Sequence, residues 1–294
     1  MAKARLDMVE GIMDKYEIPL WVKPYIYQYI KRDPIGSIKR AVSFIDVKRK
    51  RGEVTKEYVK LPNSIVFDMD SVIHILSIFL YGEERCADIY ARWVKEPAPE
   101  NIEYPKFYAG MSDVSTKRAR AIKNLIEGIG QKGSGPTSEI IDVFDYIESI
   151  KGWRERFLCT NLILNYSYGV SFGRVFYRIF YFVMPEYMRT FGKAFDQNAE
   201  YLAAGNREAM RIVSERLIPE EDIIKITREL LSKILRSIDS EMRIAKRAKI
   251  ENEAILLRTI AIIYPLHTLA DLGLNIDVDK EFKNIERMTK AAHK

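Results

Sequence analysis

Residues 152–217 read GWRERFLCTNLILNYSYGVSFGRVFYRIFYFVMPEYMRTFGKAFDQNAEYLAAGNREAMRIVSERL. Their periodicity decides the fold class. In the first half, Leu158, Leu162, Asn165, Gly169, Phe172, Phe176 and Ile179 recur at three- and four-residue steps. In the second half, Tyr187, Phe191, Ala194, Asn198, Tyr201, Gly205, Ala209 and Ile212 do the same. Each series is the buried stripe of one long helix. A tight turn at Val183, Met184 and Pro185 joins the two, with Pro185 suited to the first position of the second helix, where its missing N–H costs nothing. Each stripe carries one amide, Asn165 or Asn198, among apolar neighbours.

The same reading extends outward in both directions. Asn63 or Ser64 caps a helix that runs to about Val94, with Met69, Ile73, Leu76, Leu80 and Glu83 along one stripe. The loop KEPAPENIEY ends it. A second long helix begins near Pro105 and runs to about Ile129, its core side marked by Tyr108, Met111, Val114, Arg118, Ala121 and Leu125. GQKGSGPTS is a Gly/Ser turn, and a connecting helix spans Ser138 to Ile150. After Pro219 come an acid-led helix, a helix over 251–271 and a charged terminal helix over roughly 279–291. Residues 33–60 read as a helix to about Lys48 followed by an extended piece, in preference to a hairpin around KRGE, which strand-like alternation on each side also allows. The pattern predicts an all-α protein: a four-helix bundle over 63–217, a basic N-terminal segment over 1–62, and a C-terminal helical extension over 218–294 packed on the bundle. Two helical hairpins joined by a longer crossover make the ferritin-like arrangement.

Composition sets outer limits. Of 294 residues, 47% are hydrophobic and 30% charged, a globular balance with length enough for a large core. Lys, Glu, Ile and Tyr are frequent, a usage common in proteins of hot environments. Two cysteines, Cys86 and Cys159, make neither a disulfide framework nor a four-thiolate zinc site, and they fit a reducing cytoplasm. The first twenty residues carry acids where a signal peptide needs an apolar run. The longest charge-free stretch, 157–173, contains Asn161 and Asn165 and runs into Arg174, so no membrane span is expected. The net charge of +6 lies in residues 1–60, with 14 Lys and Arg against 8 Asp and Glu; the remainder is balanced.

Residues 64–217 resemble the ferritin-like di-iron carboxylate superfamily and, within it, subunits of the phenylacetyl-CoA epoxidase type. SDVSTKRARAIKNLIEGIG (112–130) and AFDQNAEYLAAGNREAM (194–210) fall where that family carries its two ligand-bearing helices. Such a site takes a carboxylate from each of two helices and a Glu-x-x-His from each of the other two, because residues three apart share a helix face. This chain has three histidines, His74, His267 and His293, and three residues before them stand Ser71, Tyr264 and Lys290. Carried across, the family's ligand positions fall on Glu83, on Val114 and Lys117, on Asn165, and on Asn198 and Tyr201. One carboxylate of four remains, and neither histidine. The resemblance therefore implies a metal-free relative with no cofactor, in which the Lys117 ammonium replaces the metal cations, Glu83 neutralises it, and Asn165, Asn198 and Tyr201 supply hydrogen bonds.

The function expected from this is a non-catalytic binding or scaffold subunit, a homodimer or a hetero-oligomer with another helical subunit, with an oxygenase complex as the assembly the resemblance implies. The alternative is a working metal oxidase using Glu83, Glu84, Asp113, Glu200 or Glu241. A third reading, a nucleic-acid-associated protein, would act through the basic residues 31–60 but has no recognition motif behind it. Lys117, Arg118, Arg120 and Lys123 form a basic run that is either a solvated face or a site for an anion such as the phosphates of an acyl-CoA. Asp70 and His74, at i and i+4, are a solvated pair or the start of a metal site. No Gly-rich phosphate loop, nucleophile elbow or Ser/His/acid arrangement is visible along the chain.

Overall fold

The structure, a computed structural model, describes residues 69–97, 103–128, 133–172, 199–247 and 251–291. Every regular element among them is helical: α1 (Met69–Trp93), α2 (Glu103–Gly128), α3 (Ser138–Ser149), α4 (Trp153–Phe157), a π-helix (Leu158–Phe172), α5 (Ala199–Ser214), α6 (Glu220–Ser240), α7 (Met242–Arg247), α8 (Glu251–Asp271) and α9 (Val278–Ala291). Among these residues no helix is long and apolar enough to cross a membrane. The turn at 183–185, Asn198 and the basic segment 31–60 lie outside the described residues.

Helices α1 and α2 form an extensively packed antiparallel pair. The register follows from three contacts along it. Tyr90 packs on Tyr108, with ring centroids 5.2 Å apart. One turn on, Ser112 donates to the carbonyl of Ala87 (3.0 Å). A further turn on, Arg118 reaches Glu83. The α2 face that makes these contacts carries Tyr104, Tyr108, Met111, Val114, Ile122 and Leu125, all buried at helical spacing. Ala121, expected on this face, is half-buried, and Ile122 takes its place.

The end of this pair is fixed by a buried cation. Arg156, 1% exposed, lies between the rings of Trp93 (4.6 Å to centroid) and Trp153 (5.0 Å). It donates to the carbonyl of Ile150 (2.9 Å) and to Glu96 (2.6 Å). A guanidinium tolerates such a site because its faces stack while its edge donates.

The segment expected as one regular α-helix changes pitch at Leu158 and continues as a π-helix to Phe172. Each N–H of a π-helix reaches back five residues, so a stripe written at three- and four-residue steps drifts round it. Burial shows the drift. Leu158, Cys159, Thr160, Asn161, Leu162 and Ile163 are all buried in unbroken succession, whereas Asn165 is half-buried and Gly169 exposed. A helical run buried at six successive positions needs neighbours on every side. The π-helix finds them in α8, α5 and α6, with α8 making the most extensive contact. A single apolar core takes in residues from Ile89 of α1 to Ile285 of α9.

Helix α8 contains Pro265. Proline has no N–H, so the Ala261 carbonyl four residues earlier loses its partner in the helix. The hydroxyl of Ser167, buried in the π-helix, donates to that carbonyl at 2.8 Å. The interruption in α8 and the serine of the π-helix thereby satisfy each other. At the other face, Gly205 of α5 sits where an added Cβ would lie 2.1 Å from Asn161 Oδ1, so only glycine permits this approach of α5 to the π-helix.

Candidate functional site

Glu83 is turned into the protein between α1 and α2, and its partner corrects the sequence expectation. The cation is Arg118 rather than Lys117: Arg118 Nη1 lies 3.4 Å from Glu83 Oε1, with the two side chains 7% and 15% exposed. Lys117 is 65% exposed and pairs with Asp113, one turn earlier on the same helix, at 2.6 Å. The reason is geometric. One residue along an α-helix is a rotation of about 100°, enough to carry a side chain from the packed face to solvent. Burial raises the Glu83 carboxyl above its ordinary value; the Arg118 charge and a hydrogen bond from Ser115 oppose that rise without overcoming it.

Among the described residues, the other positions implied by the resemblance do not join this pair in one site. Val114 is buried at 4% as part of the α2 apolar face. Asn165, expected to face a central site, donates to Asn206 of α5 at 3.0 Å. Tyr201 is 45% exposed, its ring lying across Gly110 and near Phe107. Among the described residues the buried amide is Asn161, 2% exposed, which donates to Thr160 Oγ1 (3.0 Å). Thr160 gives its own proton to the Arg156 carbonyl (2.8 Å), so the Tyr108 hydroxyl at 3.1 Å is the donor to Thr160.

Among the described residues no three His, Cys, Asp or Glu side chains come together as a metal would require. Glu84 and Asp113 are exposed on different helices, and Glu241 is engaged elsewhere. Of the basic run, Arg118 faces inward while Lys117, Arg120 and Lys123 are exposed, so the four do not make one anion-binding face. Burial pushes the Cys86 thiol up to about 12 and Cys159 well above the usual thiol range. Both thiols therefore stay protonated and unreactive at neutral pH.

A second constellation was not visible along the chain. His74 does not turn to Asp70. Its Nε2 lies 2.8 Å from Glu241 Oε2 at the end of α6, and its Nδ1 lies 2.6 Å from Ser134 Oγ in the loop before α3. An ionised carboxylate only accepts, so Nε2 carries the proton; in the neutral ring Nδ1 then accepts from the serine hydroxyl. The loop is held in place from α1 and α6. Ser134 N–H donates to Ser77 Oγ (3.0 Å), and Thr137 and Ser240 hydroxyls meet at 3.3 Å. A Cβ added to Gly133 would lie 2.6 Å from Ser77 Oγ, so the loop closes on α1 only with glycine there. A Gly-Ser-Gly triplet was the one local signal; the sequence gaps of 60 and 167 residues concealed the rest.

No family model matches the chain, and no curated protein and no solved structure matches it, so neither an activity nor a family comes to it by likeness.

Proposed function

We propose that the chain is a helical binding or scaffold subunit, related to the ferritin-like carboxylate proteins, in which a carboxylate–guanidinium pair stands where those proteins hold two metal ions. It acts as a homodimer or beside another helical subunit of oxygenase type. The observation that carries this reading is the inward pair of Glu83 and Arg118 between α1 and α2. A guanidinium is permanently charged and neutralises a buried carboxylate, but it neither changes oxidation state nor accepts a ligand's electron pair. One carboxylate already matched by a cation has no charge left for a second. The antiparallel α1–α2 pair, with its acid turned inward, supports the kinship.

The test is native mass spectrometry, with metal analysis, of the full chain produced in iron-supplemented medium. The expected result is the mass of the chain or a small multiple of it, without bound iron or manganese. One or two such ions retained per chain, and lost on Glu83→Gln, would overturn the reading.

A further inference from the structure

We propose that Ser134, His74 and Glu241 form a nucleophilic site for acyl transfer, with Ser134 as nucleophile, His74 as general base and Glu241 as the positioning residue. This goes beyond the reading of the interior and does not depend on it.

The order of contacts is what the chemistry needs: an acid that holds one imidazole nitrogen protonated, and a hydroxyl on the other. Here the acid is on Nε2 (2.8 Å) and the hydroxyl on Nδ1 (2.6 Å). Either ring nitrogen serves as base once the other is tied. Three separate elements deliver the groups: α1 the base, the loop before α3 the nucleophile, the end of α6 the acid. Glu241 Oε1 is buried and has no hydrogen bond among the described residues, so its His74 contact is the carboxylate's one bond there. Ser134 is exposed, its own N–H is anchored on Ser77, which holds the backbone there, and its hydroxyl meets His74 Nδ1. Next to it, a Cβ on Gly135 would meet nothing within 4 Å among the described residues, leaving space for an incoming carbonyl.

In the first half-reaction Ser134 Oγ bonds to the carbonyl carbon of an ester while its proton passes to His74 Nδ1. The carbon–alkoxy bond then breaks, and the leaving alcohol takes that proton. In the second, water attacks the acyl-serine, its proton passes to Nδ1 and returns to Oγ as the acid departs. The balance is ester and water to acid and alcohol, with no other reactant. Because Ser134 lies in the open, the substrate class is a short-chain or activated carboxylic ester.

The test uses the full chain with a fluorophosphonate probe and p-nitrophenyl acetate. One equivalent of phosphonate should attach, mapped to Ser134, and acetate release should show a burst that Ser134→Ala abolishes. His74→Gln should slow both by about 100- to 10,000-fold, the range general-base catalysis supplies. Glu241→Gln should slow labelling, and Glu241→Asp should restore part of the rate, with melting temperatures held as a control for folding. Labelling no faster than that of the denatured chain would overturn the proposal and leave a structural clasp. Labelling that persists in Ser134→Ala would overturn it equally.

Discussion

Arg118 and Glu83 lie on neighbouring antiparallel helices and meet on the packed side of both, while Lys117 and Asp113 form a pair of the same charges on the solvent side of α2. Two ion pairs a single residue apart thus have opposite characters. The outer pair is screened and holds two mobile side chains together, and such pairs contribute about 0–1 kcal/mol. The inner pair has left water, so each partner depends on the other.

Two carboxyls in the protein should make opposite contributions to pH dependence. The Glu83 carboxyl is raised by burial. Between its ordinary value near 4.5 and the folded value, the folded chain keeps a proton that the unfolded chain has released. Its contribution to stability therefore declines as pH rises through that window. The Glu281 carboxyl is lowered by the hydrogen bonds of Arg228, one of them at 2.7 Å. Its contribution is present above the ordinary carboxylate value and is lost as pH falls through the depressed one. Urea unfolding of Glu83→Gln and Glu281→Gln against the parent, from about pH 2 to 8, should show differences that slope in opposite directions, the Glu281 change falling below pH 4.5 and the Glu83 change above it.

The serine that answers the proline of α8 is open to a double-mutant cycle. Removing the Ser167 hydroxyl leaves the buried Ala261 carbonyl without its partner, a loss of about 1–3 kcal/mol. In a Pro265→Ala background the helix supplies its own N–H, and Ser167→Ala should cost less. Chemical denaturation of the four proteins measures the coupling. Strictly additive costs would mean that the carbonyl does not depend on the serine.

Close packing of α5 on the π-helix rests on one missing side chain. Gly205→Ala places a methyl against Asn161 and 2.7 Å from the Phe107 ring, and should destabilise by about 1–3 kcal/mol. Gly135→Ala, whose added carbon meets nothing within 4 Å among the described residues, should stay within about 0.5 kcal/mol in thermal melts.

The helical class was legible because α1, α2 and α6 keep a regular apolar spacing and have turn residues at their ends. The π-helix was not, because a three- and four-residue count from Leu158 still meets Leu162 and Phe172, and the unbroken buried run from Leu158 to Ile163 singles out no one period. This made Asn165 look central and hid Asn161. Glu83 pairs with Arg118, whereas the register of the resemblance points to Lys117, and the two cations differ by one position along the helix. His74, Ser134 and Glu241 are brought together only by the packing of three elements, which no local spacing encodes.

Thermal and urea stability of Arg118→Met and Lys117→Met, compared side by side, tests the central claim most directly. Arg118→Met strands the Glu83 carboxylate and should cost about 3–5 kcal/mol at neutral pH, with most of the loss recovered in Glu83→Gln/Arg118→Met. Lys117→Met should change stability by no more than about 1 kcal/mol. A large loss for Lys117→Met beside an unaffected Arg118→Met would contradict the account.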